Sequence, residues 1–259
     1  MSAGPAPSAM PPIYIAAFIT LVVSAALWLT VFRLMAGPRC RLAWLTALGL
    51  PLSAIVNLWV KRPLAVAVGG AAGIPAGQGL ATPVWFLIFL FLLAPVFEEA
   101  IKLLPLAAVA LRRRLAEPGV VLWAGVYLGL GFGLGEVAYL AWGIARNPAY
   151  SAYPFWYFGG FFGERLTVVY LHAALTGLAA SGWARGPGRV LATYGAAVGL
   201  HALANLGAMF YQLKLTSAAL SQVTLVAALL GVTVVLERLR RAVPREPGKV
   251  PVVVFRRDG

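Results

Sequence analysis

Residues 83–111 read PVWFLIFLFLLAPVFEEAIKLLPLAAVAL, twenty-nine residues whose only charges are Glu98, Glu99 and Lys102. As a helix this stretch rises about 1.5 Å per residue, more than enough to cross a hydrocarbon core about 30 Å thick. A run this long and this apolar is a membrane span. Its two adjacent carboxylates lie well inside it, where an ionisable group costs about 2.5–3.5 kcal/mol on insertion scales.

The rest of the chain agrees. Of its 259 residues 61% are apolar and 11% are charged, and the mean hydropathy is +0.85. A soluble domain carries about 25% charged residues, so this chain lacks the polar groups to cover a water-facing surface. A soluble enzyme, a disordered regulator and a secreted disulfide scaffold are excluded. The reading is an all-α polytopic membrane protein, one integral membrane domain over 1–259. The net charge of +13 is not a nucleic-acid signature, because seven of the 21 basic residues fall in the last 22 residues and most others in gaps between apolar runs. That is the positive-inside pattern. The single cysteine, Cys40, can form neither an internal disulfide nor a thiolate zinc site.

Spans are expected near Pro12–Met35, Leu42–Val60, Pro83–Leu111, Gly119–Ala145, Gly163–Trp183, Arg189–Leu213 and Ala218–Leu236, about seven in all. Residues 63–82 are apolar but hold five glycines and two prolines, and read as an outer loop or re-entrant piece; eight spans result if they cross. The N-terminus lacks a basic signal region, so the first run reads as a retained span. Fifteen Lys and Arg fall on one side, including Arg112, Arg113 and Arg114, against Lys61, Arg62, Arg146, Arg165 and Lys214 on the other. The C-terminus, with a basic tail over 237–259, is therefore expected in the cytoplasm and the N-terminus outside. Four lysines against seventeen arginines, with much Ala and Gly, point to a GC-rich bacterial genome and so to a bacterial plasma membrane.

The chain has only eight acidic residues and two histidines. Glu98, Glu99 and Glu136 fall inside spans, Glu164 starts another, and His172 and His201 are both mid-span. Residues four apart share a helix face. Glu98 and Lys102, Phe132 and Glu136, His172 and Thr176, and His201 and Asn205 each have that spacing, giving four consecutive spans one polar stripe apiece. Measured from the basic ends of their spans, these groups lie at about 18–25 Å. They share one slab, which suits a polar active-site cavity among four core helices. Blander readings stand beside this one: Glu98–Lys102 as a self-neutralising ion pair, the glycines around Phe132 as close-packing positions, Asn205 as interhelical glue. One lysine, however, cannot satisfy two adjacent carboxylates.

Glu98-Glu99-Ala-Ile-Lys102, Phe132-Gly-Leu-Gly-Glu136, His172-Ala-Ala-Leu-Thr176-Gly177 and His201-Ala-Leu-Ala-Asn205 together resemble the PrsW-type intramembrane proteases. These share a superfamily with the YhfC-like and CAAX-protease/bacteriocin-processing (Abi) families. Glu164-Arg165 ahead of His172 also looks YhfC-like, and the core motifs fall within 83–213. The resemblance implies hydrolysis of a peptide bond within or beside the membrane. Its substrate would be a membrane-protein or lipid-associated peptide.

The non-metal scheme the superfamily implies makes Glu98 the general base. Glu99 and His172 orient the water or share protons, His201 and Asn205 face the oxyanion, and Glu136 completes the cluster. Lys102, Phe132, Arg165 and Thr176 support these groups. No cofactor is required by the sequence. A zinc version, with His172, His201 and Glu98 as ligands, stays open, although there is no HExxH helix. A proton- or ion-coupled transporter using the same buried groups is the alternative class, and a non-catalytic scaffold a third.

Overall fold

The computed structural model describes residues 10–75, 81–108, 117–150 and 153–243. Among them every regular element is helical. Helix α1 spans Pro12–Ala36 and stops at Gly37, whose φ of 57° favours a residue without a Cβ. After a 3-10 stretch, Gly37–Trp44, come α2 (Leu45–Gly49), α3 (Leu52–Val56), a π turn (Asn57–Lys61) and α4 (Arg62–Ala71). Then follow α5 (Val84–Ala107), α6 (Pro118–Ala145), α7 (Gly159–Ser181), α8 (Pro187–Gln212) and α9 (Ala218–Ala242). Among the described residues six helical stretches are long and apolar enough to cross a membrane, and the first of them, Pro12–Ala71, holds both α1 and the α2–α4 run. The protein is thus polytopic in character.

Burial sorts these helices into a centre and a rim. The most apolar window is 89% buried in α6 and 78% buried around α7, but only 22–28% in the other stretches. A helix apolar on all sides must be surrounded by protein or lipid, and here α6 is surrounded by protein. The rim helices turn residues such as Phe18, Trp59, Val66, Leu191 and Leu230 outward, a surface suited to hydrocarbon.

The glycines of α6 explain how it fits. Gly125, Gly129 and Gly133 face α7: a Cβ on Gly129 would lie 2.7 Å from the Thr176 Cβ, and one on Gly133 2.9 Å from the Val169 Cα. Gly131 and Gly135 face the second run, where a Cβ on Gly131 would lie 2.9 Å from the Gly49 Cα. The run 129–135 is therefore two close-packing stripes serving two neighbours.

Three boundaries differ from the sequence expectation. Of residues 63–82, read as an outer loop or re-entrant piece, 63–71 belong to helix α4, which continues the second run, and 76–80 lie outside the described residues. The cause is local: Pro63 cannot donate to a carbonyl one turn back, and the chain answers with a π turn in which the Arg62 N–H bonds Asn57 O. The Asn57 side chain donates to Ser53 O at 2.8 Å. Second, Glu237–Ala242 belong to α9, with Glu237 accepting from Arg240 at 2.6 and 2.7 Å and from Arg241 at 2.6 Å. Residues 244–259 of the expected tail lie outside the described residues, as do Arg112, Arg113 and Arg114. Third, α7 begins at Gly159, after a 3-10 turn at Phe155–Phe158.

Candidate functional site

Five segments bring their charged groups to one place. Helix α5 contributes Glu98, Glu99 and Lys102 just past Pro95; α6 contributes Phe132 and Glu136; α7 contributes Arg165 and His172; α8 contributes His201. The fifth is the π turn, through Lys61. Glu98, Glu99, Lys102, His172 and His201 are all 3% exposed or less.

The pairing differs from the spacing rule. Lys102 Nζ bonds not Glu98 but Glu99 Oε1, at 2.7 Å, and it also donates to His172 Nδ1 at 2.9 Å. Its remaining surface lies 4.3 Å from the Phe132 ring centroid, a cation–π contact. Glu98 Oε1 is met instead by Lys61 Nζ at 2.6 Å. Glu136 Oε2 is held by Arg165 at 2.9 Å and by His172 Nε2 at 3.1 Å; Arg165 also reaches Glu164. Three in-span carboxylates thus meet three cations, which makes burying them tolerable. Lys61 and Arg165, both counted from the sequence among the charges of the outer side, are tied into the bundle.

Hydrogen-bond roles follow from what each group is able to do. An ammonium only donates, so His172 Nδ1 accepts from Lys102 and its Nε2–H donates to Glu136. A carboxylate only accepts, so His201 Nδ1–H donates to Glu99 Oε1, at 2.8 Å. In the tautomer whose only ring proton is on Nδ1, Nε2 turns a lone pair toward Glu98 Oε2, 3.8 Å away. Neither of these two acceptors is able to bond the other. Glu98 Oε2 and Glu99 Oε2 are both buried without a hydrogen-bond partner, a condition that costs about 1–3 kcal/mol or more for each charged group.

Glu98, His172 and His201 each offer a ligand atom within 4.8 Å of the others, the same three residues the sequence suggested for zinc. Glu98 Oε2 and His201 Nε2 are free to serve, and Glu99, which accepts the His201 Nδ1–H, would fix the orientation of that ring as a ligand. His172 fits poorly, because both its ring nitrogens are engaged and the Lys102 ammonium sits on one of them. A three-ligand site requires breaking one of those contacts.

Two expected residues lie elsewhere. Asn205 is half-buried and lines a cavity of about 480 Å³ that also touches Glu136 and Arg165. The Thr176 hydroxyl donates to His172 O, at 2.8 Å, within its own helix, and so steadies the backbone rather than the cluster. The sequence reading missed Lys61 because Pro63 made its helix appear to end there. It also missed two braces: Tyr194 O–H donates to Val96 O at 2.7 Å, and Trp28 Nε1–H to Leu166 O at 2.8 Å. Compared with protein-family models, curated proteins and solved structures, the chain matches none.

Proposed function

We propose that this protein is an intramembrane endopeptidase of the PrsW-like kind, with its C-terminus in the cytoplasm, that hydrolyses a peptide bond within or beside the membrane. One observation carries the reading: the 3.8 Å gap between Glu98 Oε2 and His201 Nε2, which are two acceptors with no donor between them in the tautomer that protonates Nδ1 alone. A water donating one proton to each fits that gap. Glu98 Oε2 takes a proton as the water oxygen attacks the peptide carbonyl carbon, then passes it to the departing amide nitrogen as the C–N bond breaks. Lys61 occupies the other oxygen of Glu98, which leaves Oε2 as the base. Glu99 holds the His201 N–H, so His201 orients the water instead of donating to the oxyanion. Asn205, one turn beyond His201, faces the neighbouring cavity beside Glu136, and is the oxyanion donor for a peptide held in that cavity. No step in this scheme draws on a metal.

The hydrogen-bonded chain from Glu136 through His172, Lys102 and Glu99 to His201 is also what a proton relay needs. Proton-coupled transport is therefore the second reading. Proteome-wide sequencing of membrane-protein N-termini separates the two, comparing cells with wild type and Glu98→Gln at matched expression. New termini in or beside substrate spans, seen only with wild type, are expected. No difference under several growth conditions, together with a proton flux lost in Glu98→Gln, would overturn the protease reading in favour of transport.

A further inference from the structure

The cavity beside the cluster has a construction of its own. Helices α5 and α8 are pinned together where Tyr194 bonds Val96 O and His201 bonds Glu99. Beyond that contact, toward the N-terminal end of α5 and the C-terminal end of α8, the cavity of about 480 Å³ lies between them. Its inner end is Glu136, bonded to His172. Leu87, Leu90 and Phe91 line it from α5, and Asn205, Met209 and Gln212 from α8. Neither the Asn205 nor the Gln212 side chain has a hydrogen-bond partner among the described residues.

The two carboxamides are seven residues apart on one helix face, about 10.5 Å along the axis. An extended chain advances about 3.3–3.4 Å per residue, so this distance equals about three residues of unwound peptide. A peptide bond must leave its helix to be cut, and in hydrocarbon its freed N–H and C=O groups need partners. A carboxamide offers both donors and an acceptor. We infer that this cavity is the substrate subsite: it holds about three extended, apolar residues of a membrane-protein span on one side of the cut bond. Gln212 bonds their backbone, and Leu87, Leu90, Phe91 and Met209 receive their side chains. This deepens the protease reading and rests on it.

The test uses full-length Glu98→Gln protein in cells, with a benzophenone amino acid at Met209, at Gln212, or at the outward-facing Val226 of α9 as control. Termini sequencing first identifies the protein whose cleavage depends on Glu98. The expected result is that probes at 209 and 212, but not at 226, link to that same protein within about four residues of the cut. Ala208→Trp, which fills the cavity, should cut its cleavage at least tenfold while Val226→Trp leaves it unchanged. Crosslinks that map far from the cut, or full cleavage by Ala208→Trp, would overturn the subsite and leave the protease intact. Absence of any Glu98-dependent terminus would overturn both.

Discussion

Lys61→Met isolates the contact that joins the second helical run to α5. Glu98 is 2% exposed and its Oε2 is already unpaired; removing the Lys61 ammonium strips Oε1 as well. Breaking one side of a buried ion pair costs about 3–5 kcal/mol. Lys61 keeps 19% of its side chain exposed, so the lower end applies and about 3 kcal/mol is expected. That is a roughly 150-fold shift in the folding equilibrium, at 1.36 kcal/mol per tenfold. The double variant Lys61→Met/Glu98→Gln has no stranded charge and should recover most of the loss. Lys61→Arg, which keeps the charge, should lose less than Lys61→Met. Reversible unfolding in mixed micelles, followed by tryptophan fluorescence, measures these three variants together with Glu98→Gln alone and the wild type. If the two substitutions add within about 0.5 kcal/mol, the pair does not exist in the folded protein. The π turn would then not carry Lys61 onto Glu98, and the pairing scheme of the whole site would fall with it.

Other outcomes follow from the same geometry. Gly131→Leu should lose about 1–3 kcal/mol by overpacking against α2, whereas Gly195→Ala, whose added Cβ meets nothing within 4 Å, should be neutral or gain up to about 1 kcal/mol in the same unfolding assay. Because Lys102 and Glu136 occupy both nitrogens of His172, dialysis against a strong chelator should leave cleavage of the identified substrate unchanged. Loss of cleavage that added zinc restores would establish the metal version. Arg165→Met frees one side of Glu136 and should lower cleavage more than Arg165→Lys, read as the yield of Glu98-dependent termini.

Much was legible in the chain alone. Hydropathy over stretches of about 20 residues is a local property, so the apolar runs, the helical class and the central glycine stripe could be read directly. The unusual position of the acids was just as plain, since a chain with eight of them had put three in mid-span. Counting the helical rise from the basic end of each span then placed Glu98, Glu136, His172 and His201 at comparable depth. The two adjacent carboxylates could be recognised as needing more than one lysine, and the missing cation proved to be Lys61, on Glu98.

Only the tertiary structure decided who pairs with whom. Lys102 chooses Glu99, Lys61 reaches across 37 residues to Glu98, and Arg165 and His172 converge on Glu136. Those choices depend on how each helix is rotated about its axis and how far it slides past its neighbour. Pattern within a single segment carries no information about either. The π turn sharpens the difference, because one extra residue in a turn swings every later side chain by about 100°. Its cause, Pro63, was visible in the sequence and read as the end of a helix. The packing of Gly131 and Gly135 against residues 46–50 brings the second run against α6, and the π turn further along that run carries Lys61 to the site.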